Sequence, residues 1–197
     1  MVEVGIILAI TGASGAIYGL TLLKMLTDQG VETHVIVSTW GQKTLELETG
    51  CSLEQVRNLA TVCYAENDLA APLASGSFKI SGMIVAPCSM KTLACISHGL
   101  SHNLIGRAAE VTLKERRPLI LVPRETPLNL IHLENLHKAA LAGAVIFPPV
   151  PAFYVQPQTI QDMVSHTAGR ILDQLGLSPQ EMIRWGTLPT RGAGGDL

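Results

Sequence analysis

The sequence predicts an α/β fold in which a mainly parallel sheet lies between two layers of helices. Short apolar runs alternate along the chain with longer segments of helical periodicity. The apolar runs are almost continuously hydrophobic, which is typical of strands that are buried on both faces. The 197 residues are 47% hydrophobic and 15% charged, so the chain can form one domain with a large core.

The strands are predicted from five apolar runs. Three of these runs end at prolines, which cannot donate a hydrogen bond to a neighbouring strand. Parallel strands need crossover connections, and helical segments of suitable length separate the runs. In chain order the predicted strands are residues 4–11, 32–38, 83–86, 119–122 and 144–147.

The predicted helices fill the intervals between the strands and follow the last one. Ser52 and Gln55 have the spacing of a capping box, which predicts one additional helix start. The glycine-rich residues 187–197 predict a flexible tail, so the domain is expected to span residues 1–186. The other predicted helices are residues 17–28, 44–48, 93–96, 104–114, 130–142 and 160–175.

Charge and composition exclude several function classes. A net charge of −2 gives no basic surface for nucleic acid, and no apolar run is long enough to cross a membrane. The N-terminus lacks the features of an export signal, which predicts a cytoplasmic protein with reduced cysteines. His98 and His102 have no evident third partner, so no metal is expected. The low charge content indicates either a largely buried sheet or surface buried between subunits.

The most informative motif is the Gly12-Ala13-Ser14-Gly15 turn between the first strand and the first helix. Glycines let backbone approach a ligand closely, and a helix N-terminus offers N–H groups to an anion such as phosphate. The motif is neither a full G-x-G-x-x-G fingerprint nor a P-loop, so an ordinary strand-to-helix turn is the alternative. A second set of residues suited to phosphate, 89–92, follows a later strand.

Parallel sheets bind ligands at the carboxyl ends of their strands. The loops at this edge carry hydroxyls, Lys91, Arg124, Glu125 and Tyr154. Together they predict a polar cleft that favours anions on an otherwise apolar body.

Several of these segments occur in an order that is specific in combination. They are residues 12–16, 87–92, 114–118, 124–128 and 148–154, followed by Arg184-Trp185. Over residues 4–185 the chain closely resembles the UbiX family of flavin prenyltransferases, long described as aromatic-acid decarboxylases.

The resemblance implies a single Rossmann-like (flavodoxin-like) three-layer domain that binds FMN. It implies metal-independent transfer of a dimethylallyl group from dimethylallyl monophosphate to N5 and C6 of reduced FMN. The prenylated FMN would serve UbiD-type decarboxylases, in ubiquinone biosynthesis or in aromatic-acid degradation. The resemblance also implies a homododecamer with the site at subunit contacts.

The resemblance further assigns binding roles to individual residues. Met90 would offer only backbone and apolar contact to the flavin, and filling the core is its alternative role. The other positions carry cations, hydroxyls or backbone amides suited to phosphate oxygens. The FMN contacts would be Gly12, Ala13, Ser14, Ser38, Ser89, Met90, Lys91, Thr92 and Arg124, and the allylic phosphate contacts Arg107, Lys114, Arg124, Tyr154 and Arg170.

Four residues are catalytic candidates by the same matching. Glu125 would take the proton lost from C6, and its alternative is a salt bridge with Arg124. Glu48 would act in the active site or lie on a solvated helix face. Ser14 would contact N5 or cap the first helix. Trp185 would stack over the flavin or the prenyl group, or merely dock the C-terminal segment.

Two other function classes remain open. One is an FMN-dependent decarboxylase, of the cysteine type or of the aromatic-acid type. The cysteine type carries a P-x-M-N-x-x-M-W pattern, whereas residues 87–92 read Pro-Cys-Ser-Met-Lys-Thr. The other class is a carrier that binds FMN without turnover. The five phosphate-binding candidates disfavour the carrier, because a carrier needs no second anion site.

Overall fold

The computed structural model describes residues 5–177, 179 and 182–186. Its sheet has six strands in the order 3-2-1-4-5-6, and every adjacent pair is parallel. This is the strand order of the Rossmann fold. The strands are β1 (Ile6–Ile10), β2 (Thr33–Val37), β3 (Val62–Ala65), β4 (Gly82–Cys88), β5 (Leu119–Pro123) and β6 (Val145–Ile146).

Seven α-helices surround the sheet in the part of the chain that the structure describes. They are α1 (Ala16–Asp28), α2 (Thr39–Thr49), α3 (Leu53–Leu59), α4 (Met90–Ser97), α5 (Leu104–Lys114), α6 (Leu130–Leu141) and α7 (Ile160–Asp173). Short 3₁₀ turns lie at Pro72–Ala74 and Phe153–Val155.

Two separate cores confirm the predicted three layers. Alternate residues of β1 point to opposite faces of the sheet, so Leu8 packs with Leu22 of α1 and Ile171 of α7. Ile7 packs on the other face with Leu93 of α4 and Leu104 of α5. Because both faces of the sheet are covered by helices, its strands are apolar throughout.

The structure contains all five predicted strands and a sixth strand, β3, which the sequence analysis did not predict. β3 lies at the edge of the sheet, has four residues and is only half buried, with Val62 37% exposed. It therefore lacks the continuous apolar run that identifies the inner strands. The predicted helix at residues 44–48 is the C-terminal part of α2, and the Ser52–Gln55 capping box is confirmed. The predicted tail, residues 187–197, lies outside the described residues.

The strand order reverses between β1 and β4, which are paired with each other: the chain runs outward from β1 to β2 and β3, and then from β4 outward on the other side to β5 and β6. At this point successive loops diverge and leave a crevice at the carboxyl edge of the sheet. None of the helices among the described residues is long and apolar enough to cross a membrane.

A buried histidine connects β2 to the edge of the sheet. His34 is 3% exposed, its Nδ1 lies 3.1 Å from the Tyr64 hydroxyl, and its Nε2 lies 3.3 Å from the Glu32 carboxylate. Burial lowers the pKa of His34, although the Glu32 carboxylate opposes this effect. The folded protein therefore holds a neutral imidazole that the unfolded chain would protonate more readily.

We predict that His34 makes the protein less stable in mild acid. Because its pKa is lowered on folding, its contribution is complete above the ordinary pKa of 6.5 and is lost as the pH falls below that value. Urea unfolding at pH 7.5 and at pH 5.5 measures this loss. The loss should be smaller in His34→Gln than in the unaltered chain, and an equal loss in both would contradict the prediction.

Candidate active site at the carboxyl edge of the sheet

The main cavity lies at the crevice where the strand order reverses, and its volume is about 730 Å³. This volume is within the range of small-molecule and cofactor sites. The lining is mostly polar side chains and glycines from the loops after β1, β2, β3, β4 and β5 and from the start of α5. The lining residues are Gly12, Ser38, Thr39, Trp40, Glu66, Ser89, Met90, Lys91, Thr92, Cys95, Leu100, His102, Asn103, Gly106 and Glu125.

Three helices begin at this cavity. Ser38, Ser89 and Asn103 are the N-cap residues of α2, α4 and α5, and each side chain accepts a hydrogen bond from a backbone N–H of its helix. All three caps line the cavity. A helix N-terminus carries a positive partial charge, so three of them favour an anion in the same space.

Thr11 ties the two central loops of the site together. Its hydroxyl donates to the Pro87 carbonyl at 2.7 Å and accepts a hydrogen bond from the Ser89 N–H at 2.8 Å. Thr11 is buried, so these bonds are shielded from water. They hold the cap of α4 beside the turn that follows β1.

Gly12 is required by packing within the protein. A Cβ at Gly12 would lie 2.3 Å from the Cβ of Trp40, so only glycine lets the β1 loop approach α2. Gly15 has a φ of 100°, a left-handed conformation that glycine adopts at little cost. Trp40 is itself 72% exposed and lines the cavity, so it is not a core packing residue.

The N-terminus of α1 is occupied by a carboxylate of the chain itself. Glu48 Oε2 accepts hydrogen bonds from the backbone N–H groups of Gly15 and Ala16, at 2.8 and 2.9 Å. The expected Ser14 helix cap is absent, since the cap residue of α1 is Gly15 and makes no side-chain bond. Ser14 instead hydrogen-bonds to Glu48. The first N–H groups of α1 are therefore committed to Glu48, and the first N–H of α2, that of Thr39, donates to the Glu66 carboxylate. The N-termini of α2, α4 and α5 border the cavity.

Glu48 is held in its charged form. Burial on its own would raise the pKa of Glu48, but hydrogen bonds from Ser14 and from the Gly15 and Ala16 amides lower it below its ordinary value. The positive charge of Arg124 acts in the same direction. Glu48 is exposed on α2, and its carboxylate links that helix to the β1 loop and is stabilised by the charge of Arg124 in the β5 loop.

The residues after β4 and β5 lie where the sequence places them. Ser89, Met90, Lys91, Thr92 and Glu125 all line the cavity, and the Ser89 and Thr92 hydroxyls are 3.0 Å apart. Met90 also packs against the core, so both of its expected roles are combined. Glu125 Oε1 accepts the Thr126 N–H at 3.0 Å and forms no ion pair with Arg124.

The cysteine beside this loop is inert. Cys88 is fully buried, and burial raises the pKa of its thiol to about 12. It is a packing residue.

The phosphate-binding candidates on α5 lie away from the cavity. Arg107 donates to the Ala74 carbonyl and pairs with Glu110, at 3.1 and 3.0 Å. Lys114 pairs with Glu115 at 2.5 Å. Arg107 and Lys114 do not line the main cavity.

A third group of candidates surrounds α7 and the C-terminal segment. Arg170 pairs with Asp173, and Tyr154 packs edge-on against Trp185 with ring centroids 5.2 Å apart. Tyr154, Arg170 and Arg124 do not line the main cavity either. The five phosphate-binding candidates therefore lie outside the lining of that cavity, on α5, after β5, in the 3₁₀ turn Phe153–Val155 and on α7.

Several cavity residues were not found from the sequence. Asn103 could have been found, because it directly precedes an apolar helical segment as N-caps do. Glu66 follows the missed strand β3, and its carboxylate accepts a hydrogen bond from the Thr39 N–H at 2.9 Å. No local pattern indicates that contact. The remaining unpredicted lining residues are Cys95, Leu100, His102 and Gly106.

In the described ranges, no three His, Cys, Asp or Glu side chains are grouped so that they could hold a metal. The polar groups of the main cavity include hydroxyls, three helix N-termini, one lysine and the Asn103 amide, beside the carboxylates of Glu66 and Glu125. This chemistry fits a phosphate-bearing cofactor of the size of FMN, and the cavity volume accommodates it.

Comparison with known proteins identifies the family. The Flavoprotein family model matches residues 1–172. Flavin prenyltransferase LpdB of Lactiplantibacillus plantarum is 52% identical over 181 residues, which are 91% of this chain and 97% of that protein. The chain belongs to the Flavoprotein family and, within it, to the UbiX flavin prenyltransferases.

Two solved structures of UbiX-type proteins share the fold. AnUbiX (PadA1), in complex with FMN and dimethylallyl pyrophosphate, matches with a TM-score of 0.91 and 49% identity, over 93% of this chain and 97% of that one. A dodecameric FMN-dependent UbiX-like decarboxylase of Escherichia coli O157:H7 matches with a TM-score of 0.90 and 49% identity, over 92% of this chain and 98% of that one.

We predict that Glu48→Gln destabilises the protein through α1. Loss of the charge at the helix N-terminus should cost about 1 kcal/mol, or roughly 2–4 °C in the thermal midpoint. Because the pKa of Glu48 is lowered on folding, its contribution is present at neutral pH and is lost as the pH falls below the ordinary value of 4.5. The two chains should therefore converge in acid.

Thermal unfolding at pH 7 and at pH 4 measures this difference. Glu46→Gln on the same helix is the matched control, since Glu46 contacts only Gln42 of its own helix through its side chain. A midpoint for Glu48→Gln equal to that of the control at pH 7 would contradict the prediction.

Proposed function

We propose that the chain is a flavin prenyltransferase that joins a dimethylallyl group from dimethylallyl monophosphate to N5 and C6 of reduced FMN. The observation that carries this proposal is the convergence of the N-termini of α2, α4 and α5 on one cavity. It supports binding of a phosphate-bearing cofactor. Identity near 50% to named flavin prenyltransferases, over nine-tenths of the chain, supports the reaction.

Each group of residues would have a distinct task. FMN, when bound and reduced, would supply the N5 and C6 atoms that accept the dimethylallyl group. Ser38, Ser89 and Thr92 would hold its phosphate together with the helix N-termini. Gly12, Ala13, Ser14, Met90, Lys91 and Arg124 are the further FMN contacts that we propose.

Proton transfer and charge stabilisation fall to other side chains. Glu125 lines the cavity, and its carboxylate would take the proton released at C6. Cations and a phenol would stabilise the charge on the departing phosphate without a metal. Arg107, Lys114, Arg124, Tyr154 and Arg170 would perform this second task, and Trp185 would form an aromatic wall.

A neighbouring copy of the chain would complete the site. None of the five phosphate-binding candidates lines the main cavity of one chain, and large apolar side chains such as Leu47, Leu141 and Phe153 are exposed. The dodecameric relative supports a homododecamer as the assembly.

Prenylated FMN would then pass to a UbiD-type decarboxylase. A cytoplasmic location is part of the proposal, and the free thiols of Cys51, Cys63, Cys88 and Cys95 support it.

The proposal predicts a specific chemical product. Anaerobic incubation with reduced FMN and dimethylallyl monophosphate should give a flavin heavier by one dimethylallyl unit, measured by mass spectrometry after extraction. A parallel reaction with the diphosphate compares the two donors. Unmodified FMN with either donor would favour a carrier, and release of CO₂ from an aromatic or cysteine-containing acid without a partner would favour a decarboxylase.

We predict that Glu125→Gln retains FMN binding and stalls ring closure. Loss of the proton acceptor should slow formation of the product by about 10²- to 10⁴-fold, whereas the Kd for FMN changes little. Rapid-quench mass spectrometry measures the rate, and Glu134→Gln on α6 is the control for loss of an exposed carboxylate. A normal rate in Glu125→Gln would remove Glu125 from this role.

A further inference from the structure

The C-terminal segment is attached to α7 by a buried carboxylate. Asp173 is the last residue of α7, and its side chain is only 8% exposed. Arg184 contacts both carboxylate oxygens, with Nη1 3.0 Å from Oδ2 and Nη2 2.9 Å from Oδ1. Such a bidentate pair fixes both the distance and the orientation of its partners.

The same carboxylate holds a second cation. Arg170 lies three residues earlier on α7, and its Nη1 is 2.5 Å from Asp173 Oδ2. The guanidinium groups of Arg170 and Arg184 are both partly exposed, whereas the carboxylate between them is shielded. If Arg170 turns towards an incoming phosphate, Arg184 still compensates the Asp173 charge.

Two further contacts align the segment with α7. His166 Nε2 lies 3.2 Å from the Ile183 carbonyl oxygen. Trp185 packs edge-on against Tyr154, which in turn packs edge-on against His166 at 5.8 Å. We call these contacts, Arg184–Asp173, Ile183–His166 and Trp185–Tyr154, the C-terminal clasp.

Burial of its own side chain does not hold Trp185 in place. The Trp185 side chain is 78% exposed, so little of its apolar surface is removed from water. Hydrogen bonds and ion pairs of the neighbouring residues must therefore offset the conformational entropy that is lost when the segment becomes ordered. The strongest of these is the charged, bidentate bond of Arg184, the residue directly before Trp185.

We propose that Asp173 is a positioning residue, which holds Trp185 against Tyr154 through Arg184 and keeps the Arg170 cation on the same side of α7. The inference rests on the proposed function, in which Tyr154, Arg170 and Trp185 face the prenyl phosphate. Asp173 itself would contact neither substrate nor flavin, because its carboxylate is shielded and engaged by Arg170 and Arg184. Its role is to bring an aromatic wall and a cation to one place before substrate binds, so that binding does not have to order them.

The test combines a readout of the clasp with a readout of the reaction. Trypsin cleaves after Arg184, and mass spectrometry of the FMN-loaded full chain gives the rate at that bond. Asp173→Asn should raise this rate by about tenfold or more, because a charged hydrogen-bond pair is lost. The KM for dimethylallyl monophosphate should rise by a similar factor, with a smaller change in kcat and an unchanged Kd for FMN.

Matched variants separate positioning from a general loss of stability. Asp162→Asn removes a carboxylate from the capping box of α7 and leaves the clasp intact, so both the tryptic rate and KM should stay normal. Asp173→Glu retains the charge and should restore most of the protection. Arg184→Met should raise KM as Asp173→Asn does, and the double variant should be no worse than either single one. Arg184→Met has no tryptic site at residue 184, so if Asp173→Asn does not fold it tests the proposal through KM alone, and a normal KM would overturn it.

Two results would overturn the proposal. One is an unchanged tryptic rate in Asp173→Asn, which would mean that the clasp does not hold the segment. The other is a raised tryptic rate with normal KM, which would mean that the clasp positions nothing for the reaction. Absence of prenyl transfer in the unaltered chain would instead overturn the proposed function, while the tryptic rate, which needs no turnover, would still accept or reject the clasp.

Discussion

The site depends on how the carboxyl end of β1 is bonded to both of its neighbours in the sheet. On one side, the buried Thr11 hydroxyl accepts the Ser89 N–H and so places the start of α4. On the other side, the Ser38 N–H donates to the Ile10 carbonyl at 3.0 Å and places the start of α2. Ser38 and Ser89 cap these helices, so the two hydrogen bonds place the N-termini of α2 and α4 at the same cavity. The crevice between β1 and β4 is thereby given an electrostatic character that favours an anion.

The inner part of the fold could be predicted because its physical constraints are local. Strands covered on both faces must be apolar at every position, and residues 6–10 and 119–122 satisfy this rule without help from distant residues. The edge strand β3 obeys a weaker rule, since one of its sides has no neighbour in the sheet. Its side chains are exposed or half buried, so its sequence does not differ from that of a loop.

The site residues that could be predicted from the sequence are those that cap helices. Ser38 and Ser89 could be found because a hydroxyl between a strand and a helix has a local meaning. The role of Glu48 could not be found in this way, because it meets Gly15 and Ala16 from 33 and 32 residues away along the chain. The sequence predicted an anion at the N-terminus of α1, and the structure supplies that anion internally. The helix N-termini that border the cavity are those of α2, α4 and α5, and the positions of these helices depend on tertiary packing.

The phosphate-binding candidates lie outside the lining of the main cavity of one chain. Arg107 and Lys114 are on α5, Arg124 follows β5, Tyr154 lies in the 3₁₀ turn Phe153–Val155 and Arg170 is on α7. On the proposed function, surfaces of different copies would meet so that a single phosphate engages several of them. Surfaces that meet are depleted in charge and enriched in apolar side chains, as Phe153 beside Tyr154 illustrates. A buried sheet and apolar contact surfaces between copies are therefore complementary explanations of the low content of charged residues. On the proposed function, the apolar contact surfaces follow from the need to complete the site with a neighbouring copy.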